Sequence, residues 1–176
     1  MRAHAAPDGT VAILFSDIED STILTERLGD ERWLQLLRQH NAIFREQIAR
    51  HEGYEVKSQG DGFMLAFTDP GEAVDCAAAI QRRVSDHDFG GEHLALRVGV
   101  HVGKVIREAD DFFGRTVILA ARVADRATAG EVLVTPEIVA AVPRAIVAEA
   151  RALALKGLSG THLAHVLDWR RFGSLP

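Results

Sequence analysis

Asp17 follows closely on an unbroken apolar run in VAILFSDIEDST, and Asp61 stands between two glycines in VKSQGDGFMLAF. Val11 to Phe15 has the composition of a strand buried on both faces. A carboxylate at the mouth of such a strand is costly unless something pairs with it. Gly60–Asp61–Gly62 is a hairpin turn signal. If the first strand lies beside that hairpin, the two carboxylates approach one another and repel unless a hard cation lies between them. Mg²⁺ is commonly held by one or two carboxylates together with substrate phosphates. The backbone from Ile18 to Thr22, turning into a helix, would offer amide N–H groups to those phosphates. The bland reading stands beside this one: Asp17 caps a helix and Asp61 only makes a turn.

A second group lies in ILAARVAD, where Ile118 and Arg122 are four positions apart and share a helix face. Ala120, Ala121 and Ala124 would let that helix pack closely. Arg122 either bridges to an acidic neighbour or faces an anionic ligand. Lys156, in LALKGLSG, reads by default as a solvated lysine, and Lys57 precedes Asp61 by four positions in a strand. His40 and His101 are expected to be core histidines, and Trp33 and Phe44 core aromatics. Arg82 and Arg83 are expected in solvent, and Glu19 and Asp20 as helix-start residues rather than ligands.

These residues need a scaffold. Val11–Ser16 is predicted as a strand, with capping side chains at Asp20, Ser21 and Thr22 opening a short helix that ends near Gly29. A longer helix from Asp30 carries Trp33, Leu37, His40, Phe44 and Ile48 on one stripe and stops at Gly53. Tyr54–Ser58 and Phe63–Phe67 form the hairpin, and Pro70 opens a helix with Ala73, Ala77, Ile80 and Val84. Leu94–Val102 is a strand running on past Gly103, EADDFFG a loop, and Arg115 to Ala127 a third long helix. Glu131–Thr135, a helical turn at Glu137–Ala141, and strands near Ile146–Leu153 and His162–Asp168 complete the chain. The order predicts an α+β fold: a ferredoxin-like βαββαβ palm with a mixed sheet, helices on one face and extra C-terminal strands. Its expected limits are residues 10–170, with tails at 1–9 and 171–176.

Composition sets outer bounds. Apolar residues make up 47% and charged residues 26%, ordinary for a globular domain with a full core. A net charge of -5 argues against non-specific nucleic-acid binding, which needs a basic face. The single cysteine, Cys76, can form no disulfide within the chain, so a reducing, cytoplasmic setting is expected. No apolar stretch is long enough for a signal peptide or a membrane span.

Taken in order, FSDIEDST, VKSQGDGFMLAF, LRVGVHVGKV, DFFGRTVILAARV and LKGL resemble the class III adenylate/guanylate cyclase catalytic domain, of the bacterial stand-alone type. The similarity runs from about Thr10 to Trp169. It implies that Asp17, Asp61 and the carbonyl of Ile18 hold two Mg²⁺ or Mn²⁺ ions per site. It implies that Lys57 and Asp111 read the base, the lysine donating to adenine N1 and the aspartate accepting from the exocyclic amine, which favours ATP. Arg122 matches the arginine that stabilises charge on the α-phosphate, and Lys156 the lysine on the terminal phosphates. Lys104, Ser21 and Thr22 fall at further phosphate positions. The resemblance implies a head-to-tail homodimer whose two shared sites take metal ligands from one subunit and base-reading residues from the other. Phe112 and Phe113, just after Asp111, read as core or interface residues, the dimer interface being favoured.

One position departs from the pattern. Where the family places a ribose-orienting asparagine, this chain has Ile118, which can neither donate nor accept a hydrogen bond. Losing one placed polar contact costs on the order of 10²–10³ in rate. The expectation is therefore an adenylate cyclase forming 3′,5′-cyclic AMP and pyrophosphate, either slow or using a neighbouring group or water in place of the asparagine; the alternative is a degenerate cyclase-like domain that binds nucleotide for regulation. A diguanylate cyclase is a third class, but its GG[DE]EF stretch is replaced by SQGDGF.

Overall fold

The computed structural model describes residues 5–172; the outer parts of the two expected tails, 1–4 and 173–176, lie outside the described residues. Strand β1 (Thr10–Ile18) is the centre of the fold, because Val11, Ala12, Ile13 and Leu14 have no exposed surface on either side. Helices α1 (Ser21–Leu28) and α2 (Asp30–Arg50) follow, and then the hairpin of β2 (Tyr54–Gln59) and β3 (Gly62–Phe67). Gly53 closes α2 against the sheet: a Cβ there would stand 2.6 Å from the Phe67 ring. Helix α3 (Pro70–Asp86) starts at Pro70, with the Asp69 carboxylate capping the Gly71 amide.

The third long stretch is β4 (Leu96–Lys104), followed by a small hairpin, β5 (Ile106–Glu108) and β6 (Asp111–Phe113), where a loop was expected. Helix α4 (Arg115–Asp125) then leads to β7 (Val132–Val134), α5 (Pro136–Ala141), β8 (Arg151–Ala154) and β9 (Thr161–Val166). The expected strand near Ile146–Leu153 begins only at Arg151; Val147 makes an isolated bridge to Leu167 instead. Among the described residues, seven strands form one mixed sheet in the order β2-β3-β1-β4-β7-β9-β8, in which β4 and β7 pair in parallel and the other neighbours antiparallel. This is the predicted α+β fold on a ferredoxin-like plan.

The layering corrects one part of that expectation. Helices α2, α3 and α5 cover one face through Phe44, Ile80 and Ile138. Helix α4 lies on the other, over Val11, Ile13, Met64 and Phe112. Its seat is a strip without side chains: a Cβ on Gly99 would come within 2.3 Å of the Ala124 nitrogen, and one on Gly103 within 2.6 Å of Thr116 Oγ1. Small residues on both partners let helix and strand backbones touch, and that contact draws α4 away from the face filled by α2 and α3. Arg82 also departs from its expected solvated state, donating to the carbonyls of Trp169 and Phe172 at 2.6 and 2.7 Å.

Candidate active site

Strand pairing decides where the acids meet. Ser16 sits opposite Phe63 across β1 and β3, so the hairpin tip folds over the end of β1. There Asp61 Oδ2 accepts the Ile18 N–H at 2.8 Å. Burial pushes the Asp17 carboxyl up from its ordinary value, and the negative charges of Asp61 and Asp125 push the same way, against the guanidinium of Arg97. Asp61 is thus bonded to the residue that follows Asp17, and its charge acts on the Asp17 carboxyl.

The positive charge now on Asp17 is Arg97, which stands opposite it across β1 and β4. Its Nε donates to Asp17 Oδ1 at 2.8 Å and its Nη2 to Oδ2 at 2.6 Å, a bidentate pair. The same Nε lies 3.0 Å from Glu19 Oε2. Glu19, expected only to start a helix, thus belongs to the site. Two carboxylates and backbone oxygens are a hard donor set, and the guanidinium stands where a cation would, so these residues fit Mg²⁺ or Mn²⁺. Another group of possible ligands, His51, Glu72 and Asp75, has its ligand atoms within 4.8 Å of one another. It lies at the opposite end of the hairpin, beyond the start of β2, and Arg144 already holds Asp75 at 2.6 Å.

Capping at the start of α1 differs from expectation. Asp20 takes the N-cap position with a left-handed φ of 54°, and its side chain makes no capping hydrogen bond. Ser21 and Thr22 stand in the first turn; the Ser21 carbonyl accepts the Thr25 hydroxyl at 2.7 Å. The turn's amides are left without a side-chain cap beside the acids.

Lys57 and Asp111 come together from strands far apart in the chain, with Nζ 2.8 Å from Oδ2. The other Asp111 oxygen accepts the Phe112 amide at 2.8 Å. The lysine ammonium holds the Asp111 carboxyl below the usual carboxylate range. Lys57 also lines a cleft of about 270 Å³ with Asp17, Gln59 and Met64.

Arg122 and Lys156 share a second cavity, of about 340 Å³, with Asp125, Arg126, Ala154 and Leu155. Arg122 Nη1 reaches Asp125 Oδ2 at 3.1 Å, while its Nε is buried without a hydrogen-bond partner. Ile118, one turn earlier on α4, is 48% exposed. Lys104 is not brought to either cavity. It ends β4 opposite Thr10, seven positions or roughly 24 Å of strand beyond Arg97. Phe112, expected at an interface, is a core residue beneath α4; Phe113 beside it is exposed. His40 and His101 are buried as expected, bonded to Asn41 and Thr135.

Sequence reading missed Arg97, Asp125 and Glu19. A charge at Arg97 within the apolar alternation of LRVGV was the available signal, and only the β1–β4 register gives it Asp17 as a partner.

The comparisons show the family and the fold. A model of the adenylate and guanylate cyclase catalytic domain matches residues 3–167. An adenylate cyclase of Mycosarcoma maydis is 30% identical over 164 residues, covering 78% of this chain and 6% of that protein. An adenylate cyclase of Lachancea kluyveri is 32% identical over 159 residues, covering 76% of this chain and 9% of that protein. A solved structure of a Trypanosoma brucei adenylate cyclase in its monomeric state superposes with a TM-score of 0.88 at 27% identity, covering 99% of this chain and 94% of that one. The chain thus spans under a tenth of these two fungal relatives, and the bacterial stand-alone type draws no support from them. Among the described residues no helix is long and apolar enough to cross a membrane.

Proposed function

The chain belongs to the adenylate and guanylate cyclase catalytic domain family, and within that family we propose that it converts ATP to 3′,5′-cyclic AMP and pyrophosphate. The observation that carries the choice of substrate is the 2.8 Å approach of Lys57 and Asp111. An ammonium donor beside a carboxylate acceptor matches adenine, which offers an acceptor at N1 next to its amino donor. Guanine presents the reverse order along that edge and would meet like against like.

Asp17, Asp61 and the Ile18 carbonyl would hold two Mg²⁺ or Mn²⁺ ions. Bound there, such ions would make the ribose 3′-hydroxyl more acidic and neutralise phosphate charge. The 3′-oxygen gives its proton to water or a substrate phosphate and attacks the α-phosphorus in line, the bond to the β-phosphate oxygen breaks, and pyrophosphate leaves. Arg122 and Lys156, on one cavity, take the charge that develops on the transferring and leaving groups. The uncapped amides of the first turn of α1, with Ser21 and Thr22, receive the phosphates. Lys104 has no part in this reading. Ile118 supplies no contact to the ribose, so turnover is slow.

Asp17 and the Arg122–Lys156 pair line separate cavities of one chain. We take a head-to-tail pair of copies to complete each site, the acids of one copy facing Arg122 of the other. Exposed Ile106 and Phe113, on the β5–β6 hairpin before α4, supply apolar surface for that pairing. A cytoplasmic setting goes with ATP as substrate.

Incubation of the purified chain with ATP and Mn²⁺, with cyclic AMP followed by mass spectrometry, is the test. Product should form, and Asp61→Asn should abolish it while keeping the oxygen that accepts the Ile18 amide. Tight ATP binding without product after long incubation would instead make the domain a nucleotide-holding module.

A further inference from the structure

Arg97 lies between two carboxylates, bound to one and close to the other. Its Nε donates to Asp17 Oδ1 at 2.8 Å and stands 3.0 Å from Glu19 Oε2. The Glu19 contact is an ion pair by distance, yet Oε2 is buried and accepts no hydrogen bond. A buried acceptor left unfilled within reach of a donor is a cost that a small movement of the guanidinium would remove. Glu19 itself is fixed beside β4, because its amide donates to the Ala95 carbonyl at 2.8 Å.

Resting on the metal-site reading above, we propose that Glu19 is a positioning residue for cation binding: it receives the Arg97 guanidinium when a divalent ion takes Asp17. Arg97 and a divalent ion compete for the same carboxylate oxygens. A guanidinium released from Asp17 cannot simply enter water, since the Arg97 side chain is only 28% exposed and held in the sheet. Losing its partner without gaining another would leave a partly buried charge unpaired, which is strongly unfavourable. Glu19 offers the replacement without a change of strand register. Arg97 therefore acts as a resident cation that keeps the acids compensated before metal arrives, and Glu19 makes its displacement easy.

The test is Mn²⁺ affinity of the nucleotide-free chain, read by electron paramagnetic resonance of the free ion, in a double-mutant cycle. Arg97→Ala should tighten binding by about tenfold by removing the competitor, and Glu19→Gln should weaken it by about tenfold by leaving Arg97 on Asp17 alone. In the Arg97→Ala background, Glu19→Gln should change affinity by less than about twofold, since its effect runs through the arginine. Equal weakening in both backgrounds would make Glu19 a direct ligand or a field charge and overturn the proposal, as would no effect in either. Arg97→Met, which keeps the packed stem, replaces Arg97→Ala if that variant fails to fold. If Asp17→Asn binds Mn²⁺ as the unaltered chain does, the metal-site reading falls and this inference with it. If Asp17→Asn loses the ion but the cycle shows no coupling, only the inference falls.

Discussion

Lys57 on β2 and Asp111 on β6 meet at 2.8 Å although more than fifty residues separate them. The pair is anchored from one side only: the Phe112 amide fixes Asp111, while the Lys57 side chain is 53% exposed. It forms a donor and an acceptor set side by side at the mouth of a cleft.

That arrangement makes base preference a property of two side chains. Lys57→Glu with Asp111→Asn supplies an acceptor for guanine N1–H and a donor for O6. The ratio of kcat/KM for ATP over GTP should fall by on the order of 10²–10³, about 1–3 kcal/mol per reversed contact. Competition assays with both nucleotides read it directly, and undiminished ATP selectivity would remove the pair from base recognition.

Ile118 is half exposed on the same helix face as Arg122, so replacing it disturbs little packing. Ile118→Asn should leave the melting temperature nearly unchanged, within about 0.5 kcal/mol of stability, and raise kcat by about tenfold or more. An unaltered kcat would show that ribose positioning does not limit turnover.

The contact of α4 with β4 depends on Gly99. Its Cβ, if present, would stand 2.7 Å from the Ala124 Cα, a backbone atom that cannot move aside without shifting the helix. Gly99→Ala should destabilise the fold by about 1–3 kcal/mol in urea unfolding. Because Arg122 rides on that helix, activity should fall more than stability alone explains.

His40 and His101 make stability depend on pH. Burial pushes both imidazoles below the ordinary value of 6.5, so each is neutral in the folded chain where the unfolded chain begins to bind protons. As pH falls through that unfolded value the unfolded state gains protons the folded state refuses, and stability drops by up to about 1.4 kcal/mol per pH unit for each histidine. Urea midpoints should fall between pH 7.5 and pH 5.5, and His40→Gln should remove part of the fall. Asp111 and Glu55, whose carboxyls lie below their ordinary values, titrate well under that window. A midpoint constant across it would contradict the account.

Much of the molecule could be read in one dimension. The buried run of β1, the turn at Asp61 and the spacing of Ile118 and Arg122 are local signals, because strand alternation, turn chemistry and helical period act over a few residues. They sufficed for the α+β class and for a hairpin laid beside β1, which brings Asp61 to the amide of Ile18. Where α4 sits was decided by Gly99 and Gly103 matching Ala124 and Thr116, a fit between surfaces that no periodicity encodes. Phe112 reads like Phe113 in sequence, yet one is core and the other exposed, because the β5–β6 hairpin turns successive side chains to opposite sides. Arg97 found Asp17 and Glu19 only through register, as did Lys57 and Asp111 through the placing of a second small sheet. Charge partners remote in the chain are chosen by where backbones pair, and pairing is a property of the assembled sheet.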